Sequence, residues 1–211
     1  QEESTEDLER QSGIAGSQVE TDYLDTPVLT HCKRRFFWVL GLAFLAIVSG
    51  IVIHSFEDIL KSFFLLTLYM PMVVATGGNT GAQAATSVIR AMSLGEFEPG
   101  SYLQAIWKEI RIGALIGLLL GACVALANQG ILAIWPDATV AVVGTWKFGL
   151  VVAISLMVQV TSSTFIGAAL PILAKSARLD PAVVASPAIT TIVDVTGLLI
   201  YFVLARMVLG L

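Results

Sequence analysis

Five apolar stretches, each near or above the roughly 20 residues needed to cross a bilayer as a helix, govern what this chain can fold into. They run from about Phe36 to Ile53, Ile59 to Ile89, Ile110 to Leu126, Val140 to Leu173 and Pro187 to Leu209. The hydrocarbon interior offers no partner for a free backbone N–H or C=O, so such segments must satisfy their own hydrogen bonds as helices. Charged residues make up 13% of the chain, against about 25% in soluble domains. The expected fold is an all-α integral membrane protein with five transmembrane helices. The second and fourth stretches exceed one bilayer thickness, which predicts tilt, a kink or a cytoplasmic extension. Pro71 and Pro171 are the natural kink points.

The charges are unevenly placed. Half of the 16 acidic residues lie before residue 26, in a polar lead-in. An acidic start lacks the basic n-region of a secretory signal, and a first residue of Gln rather than Met suggests a fragment or a processed product. Composition alone favours a solvated acidic tail here over a short helix capped by Ser4 or Thr5. The longest basic run, Lys33-Arg34-Arg35, fits cytoplasmic headgroups and not nucleic acid. With the N-terminus inside, Arg90, Lys108, Arg111, Lys175 and Arg178 are also cytoplasmic, and Lys61, Lys147 and Arg206 lie outside. Five spans then put the C-terminus outside. The end of the loop "RAMSLGEFEPGSYLQAIWKEIR" is expected to form an interfacial helix. Cys32 and Cys123 stand far apart in no metal-binding or redox spacing. Gly113, Gly117 and Gly121, with Ala125 beyond, form a small-residue ridge that predicts close helix packing.

Polar groups inside the apolar stretches carry the functional signal. Asp194 is the acid well inside the last stretch, with Thr190 and Ser186 one and two turns before it and Gly197 three residues after. An acid at mid-span costs about 2.5–3.5 kcal/mol on insertion scales, and such residues usually serve function. A carboxylate, hydroxyls and carbonyls freed near Pro187 make an oxygen-only set, suited to hard cations such as Mg²⁺ or Ca²⁺. The bland alternative is an acid neutralised by a proton or by a neighbouring helix. In the second stretch, "ATGGNTGAQAATS" places Thr76, Asn79, Thr80, Gln83 and Thr86 on one helical face beside a Gly77–Gly81 pair. That face is either a pathway lining or a polar packing seam. Gln159, near Ser155, Ser162 and Ser163, reads chiefly as interhelical hydrogen bonding.

One carboxylate per chain is thin coordination for a divalent ion, but a two-fold axis would bring two copies of Asp194 together. Two such carboxylates repel when empty and are relieved by a cation between them. Mg²⁺ sheds its waters reluctantly, so the site should hold it largely hydrated.

The segments "ATGGNTGAQAATSVIRA" and "LDPAVVASPAITTIVDVTGLLIYF", with the lead-in "EESTEDLERQSGIAG…DTPV…KRRFFWVL", resemble the membrane domain of the MgtE magnesium channel family. The likeness extends over essentially the whole chain. It implies a homodimer of five-helix subunits with the pore at the dimer interface, built mainly from the second and fifth membrane helices. It implies that Asp194 binds hydrated Mg²⁺, that the Thr190 carbonyl points at that ion, and that Asn79 and Thr80 line the pore. Thr76, Gln83, Ser186 and Gly197 are the further pore-lining candidates, Ser186 standing where some members have Asn. It also implies that residues 1–32 form a cytosolic connecting helix and linker ahead of a pore domain at residues 33–211. Acids of that helix would help bind regulatory Mg²⁺, with Glu3, Glu6, Asp7 and Asp180 at or near such positions. Family members usually carry an acidic domain and paired CBS modules ahead of this helix. This sequence does not include them, so a weakened gate is expected.

The function expected is therefore a Mg²⁺ channel in the plasma (inner) membrane, with Mn²⁺, Co²⁺ or Ca²⁺ as possible further cargo. An exchanger of Mg²⁺ for Na⁺ or H⁺ is the alternative; it needs a second binding element or a proton relay. An intramembrane aspartyl protease needs two carboxylates sharing a proton, and one chain offers one, so an enzyme is not expected.

Overall fold

A computed structural model describes residues 24, 26–98, 100–179 and 181–210, without the side chains of residues 182–188. The expectations for Glu3, Glu6, Asp7 and Asp180, and for a helix within the first 23 residues, lie outside the described residues.

All regular structure among the described residues is helical. Helix α1 spans Val28–Ser55, α2 Glu57–Ser62, α3 Leu66–Ser93, α4 Tyr102–Ile134, α5 Ala138–Val143, α6 Thr145–Ser176 and α7 Pro181–Leu209. The helices overrun the apolar stretches because a helix continues into the headgroup layer wherever polar side chains reach water. Lys33-Arg34-Arg35 lie inside α1, and Lys108 and Arg111 lie inside α4. The separate interfacial helix expected before the third span is therefore absorbed into the 33 residues of α4. The two overlong stretches are each broken near their start, and the helices that follow still run for 28 and 32 residues. The second parts at residues 63–65, where the Phe63 N–H closes α2 on the Ile59 carbonyl at 2.9 Å. The fourth parts at Gly144, whose φ of 102° only glycine adopts without strain. Asp137 caps α5, accepting from the Thr139 and Val140 N–H groups at 2.9 and 3.0 Å. The helical segments run on through Pro71 and Pro171.

Among the described residues four helical segments are long and apolar enough to cross a membrane: Val28–Ser55, Tyr102–Ile134, Thr145–Ser176 and Ile189–Leu209. Helix α3 is as long as α1, at 28 residues, but its polar middle lowers its apolar character.

Helix α6 is the hub, and α3, α4 and α7 pack along it. Small residues permit this. A Cβ at Gly117 would come within 2.8 Å of the Met157 backbone, and one at Gly121 within 2.7 Å of the Ala153 carbonyl. The glycine ridge of α4 thus lies directly on α6, backbone to backbone. Gly167 of α6 likewise leaves no room for a Cβ against the Gly81 carbonyl of α3.

The contacts fix the helix directions. At one end the Tyr69 and Phe148 rings meet edge-on at 5.9 Å, and Phe56 stacks on Phe202 at 5.0 Å. There the Tyr69 hydroxyl donates to Asn128 Oδ1 at 2.7 Å, and the Tyr201 hydroxyl to the Leu66 carbonyl at 2.9 Å. At the other end Val88, Ala168 and Ile172 gather Tyr102 and Ile106 around them, and Lys175 Nζ lies 6.0 Å from the centre of the Tyr102 ring. So α3 runs parallel to α6, while α4 and α7 run against it. Arg90, Lys108, Arg111 and Lys175 collect towards the Tyr102 end, and Lys147 and Arg206 towards the Phe148 end.

Candidate functional site

Helix α7 divides into two faces. Ile189, Val193 and Gly197, spaced by four, are buried. Thr190 and Asp194, also spaced by four, lie on a neighbouring face, Thr190 exposed and Asp194 half-buried. Asp194 pairs with no basic side chain among the described residues. Ser186 sits on the same helix, two turns earlier, and its side chain lies outside the described set.

Helix α3 divides in the same way. Gly77, Gly81, Ala84 and Val88 are buried, whereas Asn79, Gln83 and Thr86 are exposed. The five-residue polar face read from the spacing is narrower in the structure. Thr80 turns inward and is only 8% exposed. Its hydroxyl donates to the Thr76 and Gly77 carbonyls at 2.9 and 3.1 Å, so it satisfies itself on its own helix. Thr76 is half-buried beside it. The buried faces of the two helices meet: a Cβ at Gly81 would lie 3.1 Å from Ile189 and 3.6 Å from Val193.

Behind both helices, α6 turns a polar stripe inward. Ser155, Gln159 and Ser163, at successive turns, are fully buried. Gln159 Nε2 donates to the Val193 carbonyl at 3.0 Å. Its amide group occupies a slot cleared by two glycines on different helices. A Cβ at Gly197 would stand 2.5 Å from Nε2, and one at Gly77 would collide with the same nitrogen. Gly197 therefore serves the α6 side of α7. The interhelical role read for Gln159 holds; its glycine slot was not foreseen, because Gly77 and Gly197 are 120 residues apart in sequence.

Nothing within the described part of a single chain forms a closed metal cage. No group of three or more His, Cys, Asp or Glu side chains stands close enough to hold an ion among the described residues. What one chain does supply is one carboxylate and several amide and hydroxyl groups on two helix faces that are not packed on α6.

Described residues that are all helical or connecting, with four helical segments long and apolar enough to cross a membrane and polar faces left open, define a polytopic membrane protein. A family model described as MgtE, divalent cation transporter, matches residues 70–204, and the chain belongs to this family. The chain is 35% identical over 181 residues to the magnesium transporter MgtE of Bacillus subtilis, covering 86% of this chain and 38% of that protein. It is 30% identical over 207 residues to the magnesium transporter MgtE of Thermus thermophilus, covering 98% of this chain and 43% of that protein. The matching protein of Enterococcus faecalis, also named magnesium transporter MgtE, is 27% identical over 196 residues. The chain thus spans between 38% and 43% of the length of these relatives.

Proposed function

We propose that the chain is the pore-forming part of a Mg²⁺ channel, assembled as a homodimer with five membrane helices per subunit. The observation that carries this reading is the pair of open polar faces. Asn79 and Gln83 on α3, and Thr190 and Asp194 on α7, lie off the faces packed on α6. Lipid cannot solvate a carboxylate or a carboxamide, so these faces need water and a second protein surface. A second copy across a two-fold axis supplies both and doubles the carboxylate count.

Helix α3 is the fifth span. Its middle is too polar for lipid and suits a water-filled path. Asp194 is the metal-binding group, joined by the Thr190 carbonyl, and the ion stays substantially hydrated. Asn79, Gln83, Thr76 and Ser186 touch its water shell. Thr80 and Gly197 hold the helices that carry these groups. The membrane potential drives entry, since moving a divalent charge inward is worth about 4.6 kcal/mol per 100 mV. The protein lies in the plasma membrane with its N-terminus cytoplasmic and its C-terminus external, in line with the basic residues gathered at the Tyr102 end. Residues 1–32 form the connecting segment and residues 33–211 the pore domain. Glu3, Glu6, Asp7 and Asp180 belong to the regulatory Mg²⁺ sites on the cytosolic side. The relatives' names, magnesium transporter, agree with Mg²⁺ as cargo.

The decisive test is voltage-driven Mg²⁺ uptake into liposomes carrying the full-length protein, with no Na⁺ or pH gradient. Saturable uptake is expected from wild type. Asp194→Asn should raise the half-saturating Mg²⁺ concentration by about 10–100-fold, the range for removing a group that supports a metal site. Undiminished, equally selective flux in Asp194→Ala would remove the pore-site assignment. Uptake that occurs only against a Na⁺ or proton gradient would replace the channel with an exchanger.

A further inference from the structure

We propose that Gln159 is a positioning residue for Asp194: its amide, wedged between Gly77 and Gly197, holds the Val193 carbonyl and so fixes the rotation of α7 that turns Asp194 to the open face. This rests on the reading of Asp194 as the pore acid.

Gln159 is fully buried, so it cannot itself touch an ion at the open face. Its donor reaches the backbone of the residue immediately before Asp194, at 3.0 Å. The assignment of nitrogen and oxygen is dictated by that partner, since reversing the amide would set two oxygens against each other. Successive residues on a helix point about 100° apart. Holding the Val193 carbonyl against α6 therefore sets the direction of Asp194 as well.

The other half of the amide argues that this is more than adhesion. Among the described residues Gln159 Oε1 has no hydrogen-bond partner, and neither have Ser155 Oγ and Ser163 Oγ on the same stripe. A group kept only for stability would be better replaced by an apolar side chain of the same shape. The slot is also costly to build: it requires glycine on α3 within the "ATGGNTG" segment and glycine on α7 three residues after Asp194. One side chain from a helix with no candidate pore residue thus touches both helices that carry them.

The test compares wild type, Gln159→Met, Asp194→Asn and the double variant of the full-length protein in liposomes. Met keeps the length and flexibility of Gln but donates nothing. Gln159→Met should leave a cooperative melting transition in detergent and raise half-saturating Mg²⁺ about tenfold, the lower end for groups that orient metal ligands. In the Asp194→Asn background the same change should add nothing further, because the two residues act as one unit. Gly77→Ala, which displaces the amide without deleting it, should reproduce the Gln159→Met shift, and does so even where Gln159→Met fails to fold. Wild-type half-saturation in either variant beside an altered Asp194→Asn overturns the positioning role alone, as do shifts that simply multiply in the double variant. Wild-type half-saturation in Asp194→Asn removes the pore site itself.

Discussion

Helices α1 and α6 are both strongly apolar and long enough to cross a bilayer, yet they take opposite places. α1 has no buried residue along its 28 positions, whereas α6 buries 15 of its 32. The difference is not hydrophobicity, because lipid tails solvate a Leu as well as a protein core does. It is side-chain size and polarity. α1 is covered with Phe36, Phe37, Trp38, Phe44 and branched aliphatics that stay exposed. α6 carries Gly149, Ser155, Gln159, Ser163, Gly167 and Ala168, all buried, which let neighbouring backbones approach and offer hydrogen bonds. The interior of this molecule thus mixes large apolar side chains, such as Phe148 and Leu156, with the small and polar residues that let the helices close on α6.

The sharpest way to break this comparison is to add bulk at the hub. Gly167→Val forces a branched side chain into the Gly81 carbonyl, and unfolding titrations in mixed micelles should register a loss of about 3 kcal/mol or more. A stable, wild-type-like variant would mean that α3 and α6 are not in backbone contact. Next, Tyr69→Phe leaves the Asn128 Oδ1 atom without its hydroxyl partner in a buried place. The same titration should show about 1–3 kcal/mol lost. The complementary change Tyr201→Phe, which frees a carbonyl already bonded within its helix, should cost nearer 1 kcal/mol. On α1 the expectation reverses. Nothing lies within 4 Å of a Cβ at Gly41 or Gly50. Ala at either position should be neutral or stabilise by up to about 1 kcal/mol through helix propensity. Destabilisation or a changed oligomeric state in Gly50→Ala, seen by cross-linking, would show that α1 packs on another chain.

The most local effect belongs to the α5 cap. The Thr139 hydroxyl, and after it the Val140 N–H, hold the Asp137 carboxyl below the usual carboxylate range. A lowered native value means that the cap contributes above the unfolded value, near pH 4, and is lost as pH falls through the native one. Asp137→Ala should therefore loosen the α5 turn by about 1 kcal/mol at neutral pH. Hydrogen exchange of the Thr139 and Val140 amides should show this, with the difference from wild type fading in acid.

Much of this was legible in the sequence, and the remainder failed for identifiable reasons. The apolar stretches located α1, α4 and α7, and the glycine ridge of α4 announced close helix packing without naming α6 as its partner. The helix ends were missed because polar residues near headgroups do not stop a helix: α4 begins eight residues before its apolar stretch, at Tyr102 rather than Ile110. The break at residues 63–65 was invisible, because Phe63, Phe64 and Leu65 are as apolar as their neighbours. The polar spacing in α3 put Thr80 with Asn79, but adjacent residues diverge by about 100°, enough to send one inward. Asp194 stood out because acids in such surroundings are rare. The glycines that receive Gln159 did not, because spacing within one helix says nothing about which helix will be opposite.

The central place of α6 bears on how the protein is made. Helices α3 and α4 emerge from the ribosome before residues 145–176 exist, and each finds its main partner only in that later segment. Until then the glycine ridge of one and the Gly77–Gly81 face of the other meet lipid or the insertion machinery with nothing to grip. The penultimate span is thus a late keystone, and a nascent chain halted before it should be a substrate for membrane quality control.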